Sequence, residues 1–156
     1  MAFLDVKRYF ENAGLGQRVI ELEESSATVE KAANAIGCAP RLIAKSLSFR
    51  VNGNPVIIVA AGDAKVDNRK FKDLFQEKAK MIPADEVEEA IGHAPGGVCP
   101  FVVKPDVTVY LDVSLKRFEK VYPAAGSGNS AVELTLDELK THSRFIGWVD
   151  VCKDWS

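Results

Sequence analysis

Cysteine, histidine and long apolar runs are all scarce in this sequence, and each scarcity closes off a class of function. The three cysteines, Cys38, Cys99 and Cys152, lie far apart with no CxxC pair. Neither a disulfide framework nor a zinc ribbon is indicated. Cys38 and Cys152 read as packing residues. The histidines are two, His93 and His142; His93 with Cys99 matches no zinc spacing, and no second pair completes a site. There is no GxSxG elbow, which argues against a Ser-His-Asp hydrolase. No apolar stretch approaches the roughly 18 residues of a membrane-spanning helix. The opening MAFLDVKRYFENAG lacks the basic-then-apolar order of a signal peptide. A soluble cytoplasmic protein with no membrane partner is expected. The formal net charge of −2 is not that of a DNA-binding protein, and DNA is not an expected partner.

What is present describes an ordinary folded chain. Hydrophobic residues make up 47% and charged residues 27%, which is globular rather than disordered composition. A length of 156 residues suits one domain spanning 1–156. Basic residues gather locally at Lys65, Arg69, Lys70, Lys72, Lys78 and Lys80, and again at Lys116, Arg117 and Lys120. Either these are solvated faces, or they are an electrostatic footprint for RNA phosphates.

Periodicity sorts the chain into alternating elements. Phe3, Val6, Phe10 and Ala13 mark a helix that Gly14 ends, and Arg18 to Leu22 reads as a short strand. Val29, Ala32, Ala33 and Ile36 mark a second helix, with Thr28 as N-cap and Gly37 beyond its last turn. Lys45 to Val51 alternates, Asn52-Gly53-Asn54 supplies a hairpin turn, and Pro55 to Ala61 is a buried central strand. Asp67 caps a helix carrying Phe71, Leu74 and Phe75, with Val66 and Phe71 as a hydrophobic staple. A further helix spans Pro83 to Ile91. Strands follow at Val107–Asp112, Val121–Ala124, Ala131–Leu134 and Trp148–Cys152, and the capping box Thr135 to Glu138 starts a helix among them. Interleaved strands and helices with one obligatory antiparallel hairpin predict an α/β fold on a mixed sheet.

Two places offer chemistry. In Gly92-His93-Ala94-Pro95-Gly96-Gly97-Val98-Cys99-Pro100-Phe101, adjacent glycines between prolines make a loop stiff at its ends and bare in the middle. Its backbone N–H groups suit an oxyanion hole, though a tight helix-to-strand turn explains the composition equally. Lys45 shares the parity of Leu47, Phe49 and Val51, so its stem points to the apolar side of its strand. It either snorkels from the core edge or presents a cation to a pocket. Cys99 is a nucleophile only if loop amides or His93 lower its pKa. Gly126-Ser127-Gly128-Asn129 lacks the ending of a P-loop and reads as a turn.

Lys45-Ser46-Leu47, VIIVAAGDAKVD, GHAPGGVCPF, TVYLDVSLKRFEKVYPAAG and SAVELTLDEL, in this order over roughly residues 20–150, resemble the YbaK/ProX family. These are free-standing aminoacyl-tRNA deacylases related to the editing insertion of bacterial prolyl-tRNA synthetases. The resemblance implies a mixed, partly barrel-like sheet with a pocket for the aminoacylated 3′ end of tRNA, and no metal or cofactor. An aminoacyl-tRNA synthetase is a second candidate partner. It implies that Lys45 anchors and orients substrate, and that the Gly96, Gly97, Val98 and Cys99 loop stabilises the oxyanion. Ser46, Pro100, Asp112, Ala124, Gly126 and Ala131 are then expected around the substrate, and valine at Gly97 should harm activity more than stability. Ala124 and Ala131 stand where the cysteinyl-specific branch has a serine and an aspartate. Cys99 stands where serine is common, and Val102 where a glycine often follows. A preference for small amino acids rather than strictly cysteine is the expectation. The alternative is a non-catalytic module that binds aminoacyl-tRNA or an amino acid.

Overall fold

In a computed structural model, which describes residues 2–155, the elements follow from local sequence chemistry. The first helix, α1 (Ala2–Asn12), buries Val6 and Phe10. After β1 (Val19–Glu21) comes α2 (Val29–Ile36), whose Thr28 side chain accepts from Lys31 N and whose Gly37 sits at φ 86°. β2 (Ile43–Val51) and β3 (Asn54–Ala61) form an antiparallel hairpin. Asn52 and Gly53, at φ 52° and 79°, supply the two left-handed residues that a type I′ turn requires.

β4 (Lys65–Val66) precedes α3 (Asn68–Phe75), where Asp67 accepts from the amides of Arg69 and Lys70. Val66 packs in the cluster of buried Phe71, as the staple predicts, whereas Leu74 is exposed. α4 (Ala84–Ile91) ends on Gly92 at φ 104°. β5 (Thr108–Asp112) runs into a 3-10 turn, Val113–Arg117, and then β6 (Lys120–Pro123). β7 (Ser130–Val132), β8 (Leu134–Thr135) and α5 (Leu136–Ser143) follow, with the Thr135–Glu138 capping box formed in both directions. β9 (Gly147–Val149) and β10 (Cys152–Lys153) close the series.

Six strands form one sheet in the order β8-β6-β2-β3-β5-β9. Pairings β2–β6, β3–β5 and β5–β9 are parallel, while β2–β3 and β6–β8 are antiparallel, so the sheet is mixed as expected. It curls into a half barrel. β1 and β7 pair separately, and so do β4 and β10.

Two expected strands are each broken in two. The segment after Ala131 switches partner: Val132 pairs with Val19, Glu133 N donates to Arg18 O, and Leu134 pairs with Val121. The segment after Trp148 breaks because Val151 N donates to the Asp112 carboxylate instead of to a strand.

The central strand β3 is covered on both faces. Ile57, Val59 and Ala61 join Val6, Phe10 and Leu111 on one side. Val56, Ile58 and Ala60 join Phe49 and Phe71 on the other. Residues paired directly across a ladder share a face. Lys45, opposite Ala60, therefore lies on the Phe49 face, and Ser46, opposite Val59, on the face of α1.

Candidate functional site

The outer edge of β2 is paired in two pieces with a gap between them. At its start, Ile43 and Ala44 run parallel to Tyr122 and Pro123. Toward its end, Arg50 N donates to Lys80 O and Ile82 N donates to Ser48 O, around a bridge between Phe49 and Met81. Backbone N–H and C=O of alternate residues point to the same edge. Ser46, in step with Ser48 and Arg50, therefore aims its amide and carbonyl into the gap.

A cleft of about 410 Å³ opens at this gap. Its floor is β2 from Ile43 to Ser48, and one wall is the Ser26–Val29 segment leading into α2. Met81, Ile82 and residues of α4 form another wall, Pro95, Gly96 and Val98 a third, and Tyr122, Ala124, Ser130 and Ala131 close it.

The glycine loop is shaped by contacts as well as by composition. Gly97 N donates to Ala94 O at 3.0 Å, which closes a turn, and Gly96 within that turn is at φ 88°, a left-handed angle that favours glycine. The amides of Gly96 and Val98, both bordering the cleft, have no acceptor among the described residues. Gly97 itself faces away. A β-carbon there would stand 2.6 Å from Ser127 N and 2.7 Å from the Gly126 carbonyl carbon.

Lys45 borders the cleft and is half-buried, and its ammonium donates to the Ala64 carbonyl. Burial lowers its pKa below the ordinary lysine value, while Cys152 and Asp63 oppose that shift. Ser46 carries a buried hydroxyl without a partner among the described residues. Ala124 and Ala131 face each other across an antiparallel bridge and line the same cleft.

The remaining expected site residues lie elsewhere. Cys99 is fully buried, its Sγ 3.5 Å from His93 Nε2, and burial pushes its thiol up to about 12. Such a thiol stays protonated and is a poor nucleophile. Pro100 borders a second cleft with Tyr9, His142 and Arg144. Asp112 is fully buried, and its carboxylate accepts from Ser114 N and Val151 N, each at 3.0 Å. Gly126, at φ 92°, packs so closely on α1 that a β-carbon would come within 2.9 Å of the Ala2 carbonyl. Asp112 and Gly126 thus have structural contacts and do not line the cleft.

Sequence reasoning missed Ser26, Ser48, Tyr122 and Ser130 as lining residues, and saw Thr28 only as a cap. Ser48 had a signal, since it shares the polar parity of Ser46. The second basic group is largely engaged within the protein. Arg117 grips Asp63 through two contacts of 2.9 and 2.6 Å, Lys120 lies 3.7 Å from Glu133, and Lys116 sits 4.7 Å above the Trp148 ring. No group of three or more His, Cys, Asp or Glu side chains able to hold a metal occurs among the described residues. No helix there is long and apolar enough to cross a membrane.

A family model for the aminoacyl-tRNA editing domain matches residues 23–141. The uncharacterised protein YwhH of Bacillus subtilis (strain 168) is 54% identical over 156 residues, covering 99% of both chains. The proline–tRNA ligase of Bacillus pumilus (strain SAFR-032) is 26% identical over a match that covers 99% of this chain and 31% of the ligase. Among solved structures, a candidate trans-editing enzyme for prolyl-tRNA synthetase superposes with a TM-score of 0.85 at 27% identity, over 97% of each chain. The hypothetical protein APE2540 superposes with a TM-score of 0.82 at 28% identity, over 95% of this chain and 99% of that one.

Proposed function

The chain belongs to the aminoacyl-tRNA editing domain family, and on that premise we propose that it is a free-standing cytoplasmic deacylase hydrolysing small amino acids wrongly esterified to tRNA. Its substrates are the mischarged products of an aminoacyl-tRNA synthetase, with tRNA-Pro the leading candidate. The observation that carries this reading is the cleft itself. Gly96 and Val98, whose amides have no acceptor among the described residues, line it together with Lys45 and Ser46 of β2.

An aminoacyl ester is already activated, so positioning and charge stabilisation suffice. Water adds to the ester carbonyl carbon, and the developing oxyanion is held by the Gly96 and Val98 N–H groups. Collapse of the tetrahedral adduct breaks the bond to the ribose oxygen, which takes the proton lost by water. Free amino acid and uncharged tRNA leave. Lys45 anchors the substrate, exchanging the Ala64 carbonyl for a substrate oxygen through its flexible stem. Holding ester and water together makes the attack effectively intramolecular.

The test is single-turnover deacylation of an aminoacyl-tRNA panel by the purified chain. Hydrolysis of alanyl- or seryl-tRNA well above the buffer rate is expected. Binding of the panel without hydrolysis would leave a silent binding module instead.

A further inference from the structure

We propose that Ser46 reads the α-amino group of the substrate, its main-chain carbonyl and hydroxyl accepting from the ammonium in the gap of the β2 edge. The proposal rests on the deacylase reading and specifies which acyl groups that site takes.

In register, the gap leaves one edge-facing residue of β2 unpaired. Pairing with β6 stops at Ala44, pairing with the Lys80–Ile82 segment starts at Ser48, and Ser46 is the residue between them that aims its backbone at that edge. An aminoacyl group is one residue of backbone, an amine and a carbonyl on one α-carbon. It fills the gap as a strand of length one, a minimal case of recognition by sheet extension. An α-ammonium brings donors only, and Ser46 offers two acceptors there. Its hydroxyl has no partner among the described residues, an unfavourable state for a buried group until a ligand supplies one.

The charges around the cleft agree. Lys45 shares the opposite face of β2 and gives its ammonium to Ala64, so it does not occupy the acceptors of Ser46. No carboxylate is among the residues lining the cleft. The amino group must therefore be recognised by neutral acceptors of this kind. The consequence is selectivity by acyl chemistry. An N-acylated aminoacyl-tRNA lacks the ammonium and adds bulk at the gap, and it escapes hydrolysis.

The probes are three adenosine derivatives carrying a 3′-amide in place of the labile ester: alanyl, N-acetylalanyl and propionyl. The propionyl compound lacks the amine without adding bulk. Calorimetry measures affinity, and NMR follows the Ser46 carbonyl carbon and the Leu47 amide of the same peptide unit. The alanyl compound should bind at least about tenfold tighter than either control, and it alone should move those two resonances. Equal affinity for alanyl and propionyl forms overturns the proposal, and so does a failure of all three to bind. In that last case deacylation of intact alanyl-tRNA still decides the broader reading independently.

Discussion

Gly97 and Ser127 touch backbone to backbone: a β-carbon on the glycine would stand 2.6 Å from the serine nitrogen. The loop that borders the cleft is thereby braced against the turn between β6 and β7. This corrects the expectation that valine at Gly97 would damage activity more than stability. Relief of the clash requires backbone movement, and overpacking of this kind costs about 1–3 kcal/mol. Gly97→Val should lower the melting temperature and the deacylation rate together. Thermal melting beside single-turnover assay checks this, and an unchanged melting temperature would show that the contact yields easily.

Asp112 offers a contrast between architecture and chemistry. Its two carboxylate oxygens accept from the backbone on either side of the sheet end, at Ser114 and Val151. Asn in its place keeps the shape but offers one acceptor fewer, leaving a buried N–H without a partner at a cost of about 1–3 kcal/mol. Urea denaturation of Asp112→Asn should show that loss. Full stability with a reduced rate would place Asp112 at the substrate, as the family resemblance implies.

Much of the fold is legible because its signals are local. Thr28, Asp67 and Thr135 each cap a helix through an amide two or three residues away. Asn52-Gly53 meets its turn requirement within the turn itself. The broken strands are different. The switch at Glu133 depends on Arg18, and the break before Val151 depends on Asp112, partners that no window around those residues contains. The site divides the same way. Lys45 shows itself by parity within one strand, and Gly96 by its place between prolines. The gap beside Ser46 exists only because two remote segments pair with different halves of β2, and Gly97 faces a turn that sequence does not bring near it.

His93 ties stability to pH. It is buried, its Nε2 lies 2.7 Å from the Phe101 carbonyl, its Nδ1 has no partner among the described residues, and burial lowers its pKa. The unfolded chain titrates near the ordinary value of about 6.5. With the folded pKa below that, the unfolded state binds the proton more readily. The contribution is complete above about pH 6.5 and is lost as pH falls toward the folded value. Urea denaturation between pH 5 and 8 should show stability declining on the acid side, and His93→Gln should flatten that slope. A wild-type slope in the variant would assign the decline to other groups.

Ala124 and Ala131 set the expected selectivity. They face each other across a bridge in the cleft and offer no side-chain hydrogen bond to a substrate. Discrimination then rests on size, worth about 1–3 kcal/mol per methylene. The kcat/KM values for alanyl-, seryl- and cysteinyl-tRNA should lie close together, with bulkier amino acids disfavoured. A cysteine preference over alanine above about a hundredfold would contradict size-based selection.

The central claim is that the cleft beside Lys45 is where the aminoacyl ester is cleaved, and single-turnover hydrolysis of alanyl-tRNA by wild type and Lys45→Ala tests it most directly. Lys45 gives one hydrogen bond to Ala64 from a half-buried position, so the alanine variant should remain folded by circular dichroism and melting. Its rate constant should fall at least about tenfold, equivalent to ~1.4 kcal/mol of transition-state stabilisation. A folded Lys45→Ala protein that cleaves at the wild-type rate would contradict the account.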